Sequence, residues 1–128
     1  MKKRVTGIGG VFFKAKDPKA LLAWYEKHLG VPIAEDHPSG MFSWSDPDYP
    51  GQIGHTVFAP FDANTTYFQP SQSSFMINFR VENLKELLAV LKTEGIEPEG
   101  EPMYEEYGGF AWIMDPEGNK IELWEPKS

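Results

Sequence analysis

Cysteine is absent from this chain of 128 residues. The absence excludes disulfide bonds, thiolate metal sites and cysteine nucleophiles. Basic residues are outnumbered, since 12 Lys and Arg stand against 19 Asp and Glu, and the net charge is −7 with histidine neutral. Nucleic-acid binding depends on clustered Lys and Arg, and the longest basic run is Lys2–Arg4. The composition therefore predicts no nucleic-acid partner.

Long apolar runs are missing as well. No stretch approaches the roughly 20 apolar residues of a membrane span. The short run after Lys2–Arg4 contains three glycines and ends at Lys14, which is unlike a secretion signal. A hydrophobic content of 41% in 128 residues suits one globular domain. We expect a cytoplasmic protein with no membrane contact.

Residues 108–126, GGFAWIMDPEGNKIELWEP, are the most informative stretch. Two apolar runs flank Asp115–Asn119, whose proline and glycine are typical of a tight turn. The pattern predicts a β-hairpin. Counting across the turn places Trp112 opposite Glu122, and opposed residues share one face of a sheet.

The two faces of this hairpin differ in chemistry. One predicted face is purely aliphatic and suits a covering helix: Ala111, Ile113, Ile121 and Leu123. The other combines aromatic rings with charges and suits a ligand cavity: Phe110, Trp112, Lys120, Glu122 and Trp124. A carboxylate between two tryptophans makes Glu122 the first candidate for a functional residue, although most glutamates are simply solvated.

A strand followed by a capped helix occurs twice. The first helix is predicted from Asp17 to Gly30 and the second from Asn83 to Gly95, each with a polar N-cap and a terminal glycine. Each half continues with further strand patterns and reads βαβββ. Modules this small are marginal alone, so the repeat predicts one shared fold.

The chain resembles the vicinal oxygen chelate superfamily of glyoxalases, bleomycin-resistance proteins and ring-cleaving dioxygenases. The resemblance rests on residues 7–30, GIGGVFFKAKDPKALLAWYEKHLG, on residues 76–95, and on the closing motif DPEGNKIELWEP. It implies an α+β fold in which two βαβββ modules form an open eight-stranded cup with helices outside. The expected organisation is one domain, 1–128, with module one at about 5–61, a linker at 62–74 and module two at about 75–126. It also implies a homodimer, with the cup closed within one chain or by exchange of modules.

Enzymes of this superfamily hold a divalent metal with four residues, one from the first and last strand of each module. The corresponding positions here are Gly10, Met76, Glu122 and either Thr56 or His55, depending on the alignment. At most two of these can bind a metal, whereas a catalytic site needs about three protein ligands. We therefore expect no intact metal site and no cofactor.

We accordingly expect a binding protein of the glyoxalase/bleomycin-resistance type, holding a small aromatic or amphiphilic molecule in an aromatic-lined cavity. The alternative is a lyase, isomerase or dioxygenase that uses Glu122 with a divalent metal or as a general base. The loop Glu99–Gly109, which carries Tyr104 and Tyr107, is either a lid or an ordinary connection. Glu122 is the candidate catalytic residue, and the candidate ligand-binding residues are Phe12, Lys14, Thr56, Phe58, Met76, Asn78, Arg80, Phe110, Trp112 and Trp124.

Overall fold

The computed structural model describes residues 3–106 and 108–127. Within these residues it contains two helices and seven strands. In chain order they are β1 (Val5–Ala15), α1 (Pro18–Leu29), β2 (Gly40–Ser45), β3 (Ile53–Asp62), β4 (Phe75–Val81), α2 (Leu84–Thr93), β5 (Met103–Glu105), β6 (Gly108–Met114) and β7 (Lys120–Pro126). No helix in this part of the chain has the length and apolar character needed to cross a membrane.

The described strands form a single open sheet in the order β2-β3-β1-β4-β7-β6-β5. The two modules meet at the centre, where β1 and β4 pair antiparallel. Each of these strands pairs in parallel with the last strand of its own module, β1 with β3 and β4 with β7. The predicted α+β fold of two modules is confirmed.

The predicted count of eight strands was wrong for the described residues. The expected strand after α1 is reduced to one bridge between Ile33 and Gly40. Pro32 precedes it and has no N–H to donate to a strand ladder, although its carbonyl accepts from Met41 N at 2.9 Å. The sheet therefore has seven strands within the described residues.

Local sequence signals determine both helix starts. The side chain of Asp17 accepts from the backbone N–H of Ala20 at 3.0 Å, and that of Asn83 accepts from Glu86 at 3.1 Å. These are N-caps, which satisfy otherwise unpaired donors of the first turn. Gly30 ends α1 with φ 68°, the left-handed conformation that favours glycine.

Helix α2 covers the aliphatic face of module two, as predicted. Leu84, Leu87 and Leu91 are buried against Val81, Ala111 and Leu123. The opposite sheet face carries Asn78 and Glu122, and we call it the cup face. In module one the helix-facing side is aromatic, because the Tyr25 ring lies 5.0 Å from Phe58 and 6.4 Å from Phe13.

The predicted facing of β3 was therefore wrong at Phe58, which packs beneath α1 and not in the cup. The register pairs Gly10 with Val57 and Phe12 with Ala59, and paired residues share a face. Val57 and Ala59 consequently join the cup face. Strand β3 has apolar residues on both faces, so the alternation of its side chains could not show which of them face the cup.

Candidate functional site

The β6–β7 hairpin positions the central carboxylate. The Asp115 side chain accepts from the backbone N–H groups of Glu117 and Asn119, each at 2.9 Å. These hydrogen bonds, with Asn119 contributing most, lower the pKa of Asp115. The turn produces the predicted register, in which Trp112 lies opposite Glu122 and Phe110 opposite Trp124.

Glu122 is buried, with 3% of its surface exposed. Its Oε1 accepts from Asn78 Nδ2 at 2.6 Å, and its Oε2 accepts from Trp112 Nε1 at 2.9 Å and from the Tyr67 hydroxyl. A buried charge is tolerated when it is hydrogen-bonded in this way. Two of the three donors come from neighbouring strands, and the third comes from the linker between the modules.

Tyr67 is held over the cup face by several contacts. Its ring stacks on Phe61 with centroids 5.8 Å apart and meets Trp112 edge-on at 6.2 Å. Its backbone carbonyl accepts from Lys120 Nζ at 2.9 Å. Burial and the Glu122 carboxylate raise the pKa of Tyr67, so its hydroxyl stays protonated and donates. Burial lowers the pKa of Lys120.

One end of the cup is filled by side chains, and we call it the closed end. Phe68 of the linker is fully buried there, and the Lys14 ammonium lies 5.8 Å from its ring centre. The cluster consists of Phe12, Ala59, Phe68, Met76 and Trp112, with Phe110 packed against it. Three predicted ligand-binding residues, Phe12, Met76 and Trp112, thus contact the chain's own side chains.

The opposite end, which we call the open end, is a groove of about 700 Å³ between the two modules. Trp124 stacks on Phe110, and its buried indole N–H has no hydrogen-bond partner. Arg80 pairs with the buried Asp46 at 3.2 Å. The residues along the groove include Thr6, Gln52, His55, Arg80, Glu82 and Trp124.

The structure gathers most predicted site residues on the cup face and separates two. Glu122 and Asn78 lie at its centre, and Arg80 and Trp124 lie at the open end. Phe58 lies beneath α1, as described above. Thr56 bonds locally, because its hydroxyl accepts from Trp44 Nε1 at 2.9 Å and donates to a backbone carbonyl of β1.

The residues present do not fit the four-ligand metal site of the superfamily enzymes. Gly10 has no ligating side chain, and Met76 is fully buried in the closed end. His55 Nδ1 lies 3.0 Å from the Ser43 hydroxyl. Both oxygens of Glu122 already accept hydrogen bonds. Across residues 3–106 and 108–127, no three His, Cys, Asp or Glu side chains are grouped as metal ligands.

Sequence reasoning missed Tyr67 and Phe68, because they lie in a stretch of polar composition. Two adjacent aromatic residues in that stretch were the available signal. Of the two interpretations of the loop Glu99–Gly109, a lid or an ordinary connection, the position of Tyr104 favours the connection. Tyr104 belongs to β5 and lies on the α2 side, where Lys85 Nζ is 5.1 Å from its ring centre. Tyr107 lies outside the described residues.

Fold and site together define a two-module cup with a central carboxylate, and comparison with known proteins identifies its class. The family model of the glyoxalase/bleomycin resistance protein/dioxygenase superfamily matches residues 7–123. The chain belongs to this superfamily.

Individual relatives show how far the likeness extends. Uncharacterized protein YetH of Bacillus subtilis (strain 168) is 33% identical over 120 residues, covering 92% of this chain and 97% of that protein. The methylmalonyl-CoA epimerase of Mycobacterium tuberculosis is 19% identical with a TM-score of 0.67, covering 100% of this chain and 93% of the other. A methylmalonyl-CoA epimerase of Streptomyces coelicolor, solved in complex with 2-nitronate-propionyl-CoA, is 14% identical with a TM-score of 0.70. The match covers 97% of this chain and 99% of the other. At such identities the solved structures show a shared fold.

Proposed function

We propose that the protein binds an aromatic or amphiphilic small molecule at the open end of the cup, without a divalent metal. The observation that carries the proposal is the groove of about 700 Å³ lined by Trp124 and Arg80. Its volume lies within the range of small-molecule sites, and such sites combine apolar walls with a few polar groups. The groove has apolar side chains, among them Ile53, Trp124 and Pro126, but its polar and charged residues are at least as numerous.

The groove offers one aromatic ring and several hydrogen-bonding groups to a ligand. Trp124 lines it, and the Trp124 ring stacks on Phe110 with centroids 6.3 Å apart. Arg80 and Gln52 also lie along the groove and can donate hydrogen bonds to a ligand acceptor. These walls suit a ring that carries a hydrogen-bond acceptor.

Two observations favour binding over catalysis, one against a metal mechanism and one against Glu122 as a general base. The donor set does not fit a metal, as shown above. Glu122 also accepts three hydrogen bonds, from Asn78, Trp112 and Tyr67, so most of its acceptor sites are already used within the chain. The enzymatic alternative with Glu122 as a general base would have to use the acceptor site that these bonds leave.

Nuclear magnetic resonance can test the binding proposal directly. The chain has four tryptophans, and each gives one indole N–H signal, assignable with single Trp→Phe variants. We expect at least one compound of a planar and amphiphilic panel to shift the Trp124 signal. The matched control is Trp24, which is 51% exposed on α1 outside the cup, and its signal should stay in place.

Failure of every compound to move the Trp124 signal would contradict the proposal. Equal shifts at Trp24 and Trp124 would indicate nonspecific binding and also contradict it. Metal analysis of untagged protein is the second test, with no stoichiometric divalent metal expected. Loss of ligand binding after a chelator is added would contradict the proposal that binding needs no divalent metal.

We also propose a cytoplasmic protein that forms a homodimer, the dimer being what the superfamily resemblance implies. A partner copy would cover exposed apolar side chains outside the cup, such as Leu29 at 65% exposure. Light scattering coupled to size exclusion should give twice the chain mass of 14.5 kDa, and a single-chain mass at all concentrations would contradict the dimer.

A further inference from the structure

We propose that Asp46 sets the charge preference of the open-end groove by neutralising Arg80, so that the groove accepts rings with an uncharged acceptor and disfavours ring carboxylates. The inference rests on the binding function proposed above and narrows its ligand class to rings that carry an amide, ketone or similar neutral group. Asp46 is buried, with 1% of its side chain exposed, and it acts through Arg80 as a positioning residue.

The loop after β2 holds the Asp46 carboxylate beside Arg80. Its Oδ1 accepts from the backbone N–H of Asp48 at 2.9 Å, and the backbone N–H of Asp46 donates to the Gln52 carbonyl at 3.1 Å. Its Oδ2 accepts from Arg80 Nη1 at 3.2 Å. The two oxygens thus have separate partners, and the ion pair joins the first module to the second.

Trp44 fixes the position of the Arg80 guanidinium from another side. The guanidinium carbon lies 5.4 Å from the centre of the Trp44 ring, which is a cation–π distance. The ring itself lies directly on two glycines of neighbouring strands. A Cβ added at Gly7 would be 2.6 Å from the ring, and one at Gly54 would be closer still. Arg80 is therefore held by an aromatic ring and a carboxylate.

The ion pair is shielded from solvent, because only 13% of the Arg80 side chain and 1% of the Asp46 side chain are exposed. Salt and water screen such pairs much less than they screen surface pairs. The charge of Arg80 is thus largely compensated within the chain. A guanidinium has five N–H donors, and the bond to Asp46 is made through Nη1. Arg80 can therefore still donate to a neutral acceptor of a ligand.

The other charges along the groove do not attract an anion. Among the described residues that line it, the carboxylates of Glu82 and Glu125 stand against the cations of Arg80 and Lys127. Asp46 next to Arg80 adds a third carboxylate. A ligand carboxylate would therefore meet an excess of negative charge, and like charges at close range disfavour binding. A neutral acceptor avoids this repulsion.

The test compares two rings of the same shape and different charge, neutral 2-naphthamide and anionic 2-naphthoate. Binding is read from the Trp124 indole N–H signal at about pH 8, so that a protonated His55 adds no positive charge. Wild type should bind 2-naphthamide at least about tenfold more tightly than 2-naphthoate. Asp46→Asn keeps the shape of the side chain and removes its charge. It should bind 2-naphthoate at least about tenfold more tightly than wild type does and change 2-naphthamide binding less than about threefold.

Asp48→Asn is the matched control, because it removes a carboxylate from the same loop. Asp48 pairs with Lys3 at the surface and does not pair with Arg80, so this variant should keep the wild-type preference. Addition of Arg80→Gln to Asp46→Asn should abolish the gain for 2-naphthoate. A gain of equal size in Asp48→Asn would indicate a general charge effect and overturn the inference.

An unchanged preference in folded Asp46→Asn would also overturn the inference. If Asp46→Asn does not fold, the wild-type titrations still decide, since equal or tighter binding of 2-naphthoate than of 2-naphthamide contradicts the inference. Failure of both compounds to bind wild type and variant would overturn it too. The proposed function fails only when every compound of the wider panel leaves the Trp124 signal in place, so the two failures are distinguishable.

Discussion

At the closed end of the cup, Phe68 lies fully buried among Phe12, Met76 and Trp112, whereas at the open end Trp124 and Arg80 line a groove. The difference comes from the linker, which begins one residue later than predicted because β3 includes Asp62, and which reaches over one end as residues 63–74. Strands β4 and β7 contribute side chains to both ends. The comparison shows that the segment between the modules determines which part of the cup is core and which part is an open groove.

The indole N–H groups at the two ends also differ in their hydrogen bonding. The Trp112 indole N–H donates to Glu122 at 2.9 Å, while the Trp124 indole N–H has no partner. Buried polar groups are normally satisfied. The Trp112 N–H therefore contributes a hydrogen bond to stability, whereas the Trp124 N–H contributes none.

The largest expected effect is at the closed end. Phe68→Ala should lower the free energy of unfolding by about 3–5 kcal/mol, because it opens a cavity in a fully buried cluster. Denaturant unfolding measures the change. The control is Phe42→Ala, since Phe42 is 41% exposed on the edge strand β2. If both variants lose the same small amount, Phe68 is not a core residue and the two ends do not differ as described.

The second expected effect concerns the carboxylate between the ends. Glu122→Gln should lower the free energy of unfolding by about 1–3 kcal/mol, because an amide cannot accept from all three donors. The exposed Glu117→Gln in the hairpin turn should change it by less than about 0.5 kcal/mol. Thermal and denaturant unfolding give both values. A Glu122→Gln variant as stable as wild type would show that the network does not stabilise the fold.

Much of the fold was predictable because its signals are local. The turn chemistry of Asp115–Asn119 sets the hairpin register, and the caps Asp17 and Asn83 set both helix starts. The cup position of Glu122 followed from alternation across that turn. These features depend on residues close together in the chain.

The parts of the fold and site that were not predicted depend on contacts between distant residues, which no local sequence pattern encodes. Strand β3 is apolar on both faces, so only its register with β1 decides that Val57 and not Phe58 faces the cup. Tyr67 reaches Glu122 across 55 positions of chain. The groove at the open end combines residues of both modules. The polar composition of the linker outweighed its one signal, the adjacent rings of Tyr67 and Phe68.

A paired substitution of the two cup tryptophans sharpens the contrast. Trp112→Phe and Trp124→Phe remove similar ring area, but only Trp112 loses a hydrogen bond to a charged group. Trp112→Phe should therefore lower the free energy of unfolding by about 1–2 kcal/mol more than Trp124→Phe. Denaturant unfolding of the two variants gives the difference directly. Equal losses would mean that the indole N–H groups contribute alike and that Trp124 carries no unsatisfied donor.

The smallest expected effect is the pH dependence of Tyr67. Burial and Glu122 raise its pKa above the ordinary value of 10.0. The folded protein therefore keeps the proton where the unfolded chain releases it, so this stabilisation is fully present below about pH 10 and is lost as pH rises further.

Tyrosinate absorbance measures this ionisation. In the folded state, wild type and Tyr67→Phe should show the same absorbance rise around pH 10, since Tyr67 does not ionise there. In denaturant the variant should lack the contribution of one tyrosine. A folded wild type that exceeds Tyr67→Phe by one tyrosine near pH 10 would place the Tyr67 hydroxyl in solvent. The linker would then not cover Glu122, and the closed end would not include the Glu122 carboxylate.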